Sequence, residues 1–178
     1  NFTLRDFDGH HQNCTKSSTV ASVIDPDQSQ ENMTEFVNRI DWDKISAQEK
    51  KSTVGVTEVV PKHLLEALPK TGRITLRGEN GSGKTSLLLS LKMKYRDDAF
   101  YLPSKHDLFF KTSKSKVSTG QISSQILKEI KDKINASVIL LDEWDASLDK
   151  NNRAEISTLI DELALKHCVI EVLHARQH

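Results

Sequence analysis

Gly78-Glu79-Asn80-Gly81-Ser82-Gly83-Lys84-Thr85 is the stretch on which the fold of this 178-residue chain turns. Just before it, Arg73-Ile74-Thr75-Leu76-Arg77 alternates polar and apolar side chains, the period of a strand with one face in a core. Just after it, Leu87, Leu88 and Leu91 share one face of a helix expected over residues 85–94. The octapeptide fits G-x-x-x-x-G-K-[ST] at every fixed position, in the strand-loop-helix setting that gives the pattern its meaning. Glycines let backbone N–H groups curl round an anion, and the following helix adds its positive N-terminal end. Residues Gly78, Glu79, Asn80, Gly81, Ser82, Gly83, Lys84, Thr85 and Ser86 are therefore expected to cradle the phosphates of ATP. Lys84 would reach the β- and γ-phosphates, and the Thr85 hydroxyl would ligate Mg2+.

The pattern stays regular downstream. Residues 99–102 make a short strand, and residues 121–135 an amphipathic helix with Ile122, Ile126, Ile130 and Ile134 four apart. Residues 137–141 are an apolar run, as expected of a strand buried on both faces of a parallel sheet, and residues 168–173 read as another buried strand. Residues 152–166 form the helix between those two strands. Strands alternating with helices predict an α/β fold of the P-loop NTPase kind, a mostly parallel sheet flanked by helices.

Val138-Ile139-Leu140-Leu141-Asp142-Glu143 ends an apolar strand in two acids. Ligands of parallel sheets sit beyond the carboxyl ends of the strands, where both acids emerge. Asp142 suits the magnesium shell. Glu143 is placed to deprotonate the attacking water as general base.

Three further elements make the chain resemble the ABC ATPase family. Val117-Ser118-Thr119-Gly120-Gln121 is similar to the family's L-S-G-G-Q signature, matching at Ser118, Gly120 and Gln121. Ala146-Ser147-Leu148-Asp149 is similar to its S-A-L-D loop, and His174 follows the last strand where the family has its switch histidine. The resemblance covers residues 72–178 and, weakly, 1–7. It implies two copies sandwiching ATP, with Ser118, Gly120 and Gln121 reaching the nucleotide held by the partner and Asp149 acting across the dimer. His174 would contact the γ-phosphate of its own subunit. Within the family, Asp142-Glu143-Trp144 and the altered signature resemble the ATPase domains of bacterial cyclic-peptide and siderophore exporters. The chain also departs from the family. Ser104 stands where a glutamine is expected after Tyr101-Leu102-Pro103, and the helical subdomain that should follow is reduced to a short lysine-bearing stretch.

Before residue 70 the signals are weaker. Residues 1–7 suggest an edge strand, 8–35 a long polar loop or disordered insertion, 35–40 a short helix and 53–60 a strand, with one or two helical turns at 63–68. The expected organisation is an N-terminal segment over 1–70 and an ATPase core over 71–178. The adenine-stacking aromatic is not placed by the sequence: Phe7 fits the family's first strand and Trp42 is a looser candidate, and a core role is the favoured reading of each.

Twenty-five Lys and Arg balance twenty-five Asp and Glu, so no bulk field draws the chain to nucleic acid. No apolar run approaches the roughly 20 residues of a membrane helix, and no signal peptide opens the chain. Cys14 and Cys168 fit no metal spacing and are expected to be reduced thiols. The expected function is an Mg-dependent ATPase domain, cytoplasmic or at the cytoplasmic face of a membrane. It would power an ABC transporter through a transmembrane domain in the same or another chain, with a weak ATP-dependent homodimer. Two alternatives stay open: a soluble ABC-like ATPase of nucleic-acid maintenance or phage defence, and a regulatory module that binds ATP without turnover.

Overall fold

Val138–Asp142 (β5) and Cys168–Val172 (β6) are buried at every position. They lie at the heart of a six-stranded sheet in a computed structural model that describes residues 26–51, 55–104, 127–129, 134–146 and 148–173. The other strands are Ile45–Lys51 (β1), Gly55–Val59 (β2), Gly72–Gly78 (β3) and Ala99–Leu102 (β4). The order across the sheet is β2-β1-β3-β6-β5-β4. β3, β6, β5 and β4 run parallel, while β1 is antiparallel to both β2 and β3.

Strand alternation splits the apolar side chains between two cores. Ile74, Leu76, Val138, Leu140, Ile170 and Val172 face one side, where the helix Lys84–Tyr95 (α2) brings Leu87, Leu88 and Leu91, all fully buried. Ile139, Leu141 and Val169 face the other, under Ile156, Ile160 and Leu163 of the helix Lys150–Ala164 (α3). Leu127, in a helical stretch at residues 127–129, joins this second core, and residues 134–136 have already left helix. A sheet covered on both faces favours apolar residues at successive strand positions, which is why β5 and β6 do not alternate and carry one acid each, Asp142 and Glu171. Truncating a fully buried leucine such as Leu88 here should cost about 2–5 kcal/mol. Cys168 belongs to the first core, where burial pushes its thiol up to about 12 and keeps it inert.

The N-terminal part differs from what its composition suggests. Residues 26–35, read as polar loop, belong to a helix, Pro26–Asn38 (α1), which packs on α2. Pro26 opens it without loss, because the first N–H groups of a helix have no intrahelical partner. Residues 45–51, to which the sequence pattern assigns no element, form β1. Only Ile45 and Ala47 are buried in it, and it exists because both its edges are paired, with β2 and with β3. The helical turns expected at 63–68 occur as a 3-10 helix at Pro61–Leu65. β1 and β2 precede residue 70 yet join the same sheet as the rest. The strand expected at residues 1–7 lies outside the described residues.

Candidate functional site

β3 runs into the glycine loop and α2 leaves it, so Gly78–Lys84 crosses from the sheet to the helix beyond the carboxyl ends of the parallel strands. Two glycines are demanded by conformation: Gly81 at φ +80 and Gly83 at φ +91, a region that L side chains rarely enter. A Cβ on Gly83 would also come within 2.7 Å of Arg39 O and 2.8 Å of Ile40 Cα. The segment after α1 is therefore laid directly against the loop. Asp41 N–H holds it there by donating to Ser82 O at 3.0 Å.

No side chain caps the N-terminus of α2. Lys84 is buried, and its ammonium donates to the carbonyls of Gly78 at 2.9 Å and Glu79 at 2.8 Å, which places it inside the curl of the loop. Uncapped N–H groups at a helix start, with a cation held beside them, form an anion site. A cavity of about 490 Å³ opens on it, lined by Arg39, Asn80, Gly81, Gly83, Lys84, Thr85, Ser86 and Glu143. Both halves of the site expected from the sequence, the glycine loop and Glu143, thus border one space.

Asp142 ends β5 beside Val172 of β6, and its Oδ2 accepts from Thr85 Oγ1 at 2.9 Å and from Tyr101 Oη at 3.1 Å. Its Oδ1 is buried and has no hydrogen-bond partner among the described residues. Burial pushes the Asp142 carboxyl above its ordinary value and the charge of Glu143 adds to this, while Thr85, Tyr101 and Lys84 pull the other way. A buried carboxylate with one unpaired oxygen, bonded to a threonine hydroxyl, suits a hard divalent cation. Among the described residues no cluster of three or more His, Cys, Asp and Glu side chains could hold a metal alone. Thr85 and Asp142 therefore fit magnesium that keeps its remaining ligands from phosphate and water, as this ion usually does.

Glu143 sits at φ +44, left-handed for a non-glycine residue, and its N–H donates to Val172 O at 2.9 Å. Such strain costs of order 1–3 kcal/mol and is kept where surrounding structure enforces it. Here the next residue does so. Trp144 Nε1 donates to Glu171 Oε2 at 2.8 Å, and Glu171 is in turn clamped by Arg73 through two bonds of 2.8 Å. Arg73 also reaches Asp161 and the Ser157 carbonyl on α3, and Thr75 donates to Glu171. This buried ionic network ties β3, β6 and α3 to the turn that carries Glu143. A larger cavity, about 720 Å³, opens beside Arg73 and Asp161, away from the loop. Arg73 is already engaged with Glu171, Ser157 and Asp161 there, and among the described residues no glycine loop faces that space.

Asp149 has work within a single chain: it caps α3, accepting from Asn152 N–H at 2.8 Å, a bond that holds its carboxyl below the ordinary value. The cap gives Asp149 a role within one chain beside the one expected across a dimer, since the orphan N–H groups of a helix start need an acceptor. Ser104 lies exposed just after β4. Trp42 packs against the first core as a partly buried residue. His174, Ser118, Gly120 and Gln121 lie outside the described residues, as do Ser147, Phe7 and Cys14. Sequence reasoning did not find Tyr101, Arg39 or the Arg73–Glu171 pair. The one signal for Tyr101 is a hydroxyl on a strand that ends beside the acid-tipped one, and strand order is needed to use it.

No protein-family model matches the chain, and comparison with curated proteins gives no match. No helix among the described residues is long and apolar enough to cross a membrane.

Proposed function

We propose that this chain is a P-loop ATPase of the ABC type that binds ATP with magnesium at the glycine loop and hydrolyses it. The observation that carries the proposal is the meeting, around one cavity, of the left-handed glycines, the buried Lys84, the strained Glu143 and Thr85, whose hydroxyl is bonded to Asp142. Lys84 exchanges its bonds to the Gly78 and Glu79 carbonyls for phosphate oxygens, and the N–H groups of the loop and of the start of α2 complete the cradle. Thr85 and Asp142 hold the magnesium, which neutralises phosphate charge when bound. Glu143 accepts the proton of the attacking water from its place at the cavity wall.

The ABC assignment rests on the similarity of residues 117–121, 146–149 and 174 to that family's signatures. It extends the proposal to a weak ATP-dependent homodimer. It also extends it to the motor of a transporter working at the cytoplasmic face of a membrane through a transmembrane domain. Ser104 in place of the family's glutamine favours a second reading, binding without turnover.

Calorimetry with ATP and magnesium, set beside phosphate release, tests both. Micromolar-range binding lost in Lys84→Ala, with steady phosphate release by the wild type, is the expected result. Binding with no release supports the regulatory reading. No binding by the wild type removes the proposal.

A further inference from the structure

We infer that Arg39 is a phosphate-binding residue supplied to the nucleotide from outside the glycine loop and held in reserve by Glu35; this rests on the ATP-binding reading above. Arg39 follows α1 directly, and its backbone is fixed against the loop. Its carbonyl oxygen lies where a Cβ on Gly83 would come within 2.7 Å, and Asp41 N–H two residues on is bonded to Ser82 O. The position of the side-chain root is therefore set by the loop itself. Arg39 lines the same cavity as Lys84, Thr85 and Glu143.

That side chain is exposed and held by two weak contacts one turn back along α1. It pairs with the Glu35 carboxylate and lies 5.8 Å from the centroid of the Phe36 ring. An exposed pair four residues apart, one partner on the last turn of α1 and the other just past it, contributes little and is readily exchanged. A guanidinium offers phosphate two parallel hydrogen bonds, which are stronger and more directional than those of a point charge. A polyphosphate entering the cavity thus meets a residue whose backbone is fixed, whose charged head is exposed, and whose resting partner competes only weakly. The chemical class recognised is a nucleoside polyphosphate. The consequence for the fold is that bound nucleotide adds a side-chain tie between the end of α1 and the loop on which its backbone already rests.

Calorimetric titration of magnesium-ATP into the wild type, Arg39→Ala, Arg39→Lys, Glu35→Gln and Lys84→Ala tests the inference, with circular dichroism confirming each fold. Arg39→Ala should weaken binding about tenfold, the low end for hydrogen bonds between charged groups. Arg39→Lys should lose less, since it keeps the charge and loses the fork. Glu35→Gln should tighten binding about twofold by removing the competitor, a gain that a purely structural pair cannot produce. Wild-type affinity in Arg39→Ala, with binding lost in Lys84→Ala, overturns the inference and leaves the ATP site standing. Equal weakening in Arg39→Ala and Glu35→Gln also overturns it, because the pair would then act only by holding α1. A wild type that binds no ATP overturns the underlying reading as well.

Discussion

Thr85 Oγ1 donates to Asp142 Oδ2 across 2.9 Å, joining the first turn of α2 to the end of β5 although the two residues are 57 positions apart. The same carboxylate oxygen accepts from Tyr101 on β4, so three elements converge on one acid whose other oxygen is unpaired among the described residues. Burial and the charge of Lys84 keep the Asp142 carboxyl contested, with burial the larger influence. The arrangement costs stability in the metal-free protein and repays it only when a cation is held.

Replacing that acid exposes the cost. The folded-state value of Asp142 is raised above its unfolded 3.8, so the folded protein holds its proton more tightly and this group's contribution falls as pH rises out of that region. At neutral pH the penalty is fully present. Asp142→Asn keeps an acceptor for both hydroxyls and removes the charge. In EDTA it should melt above the wild type at pH 7, with the gap narrowing toward pH 4, and it should lose magnesium-dependent ATP binding. Melting curves across pH, with calorimetry at pH 7, check both; a variant that melts lower at pH 7 contradicts the account.

Glu143→Gln keeps shape and loses the proton acceptor, so phosphate release should fall by about 10²–10⁴-fold while ATP affinity survives. The same protein, unable to consume its ligand, should sediment partly as a dimer at high concentration with ATP and as a monomer without it. Release at the wild-type rate would take Glu143 out of the mechanism. A strict monomer in both conditions would withdraw the sandwich.

The loop glycines should differ in cost. Gly81→Ala meets open space and carries only the penalty of φ +80, about 1 kcal/mol. Gly83→Ala adds a collision with the backbone of residues 39 and 40, which cannot turn aside as a side chain could, and should cost about 2–4 kcal/mol. Urea unfolding of both variants gives the comparison. Equal costs would mean that the 39–41 segment is not seated on the loop in solution.

Glu171→Ala leaves the Arg73 guanidinium buried with only its α3 partners and frees Trp144 Nε1. Losing one member of a buried pair costs about 3–5 kcal/mol. Urea unfolding should show that loss, and phosphate release per folded molecule should also drop, because the turn that fixes Glu143 loses its anchor. Normal release per folded molecule would confine the network to stability.

The glycine loop, the acid-tipped strand and the flanking helices were legible in the residues because each is written locally. Left-handed glycines, leucines at helical spacing and an unbroken apolar run act within a dozen positions, and no distant partner is needed to interpret them. β1 was illegible because Ile45-Ser46-Ala47-Gln48-Glu49-Lys50-Lys51 buries only two side chains; backbone pairing to strands on both sides makes it a strand. Only the end of α1 is legible, in the short helix expected at 35–40; the polar composition of residues 26–34 hides a helix whose support comes from packing on α2. The order β3-β6-β5-β4 decided the rest. It set Glu171 opposite Thr75 and within reach of Arg73, brought Tyr101 beside Asp142, and left room for Arg39 at the cavity that Lys84 and Glu143 share. Those contacts join residues tens of positions apart, and side-chain type alone does not say which strands become neighbours. Only the tertiary structure supplies that adjacency, because it is set by how the helices cover both faces of the sheet.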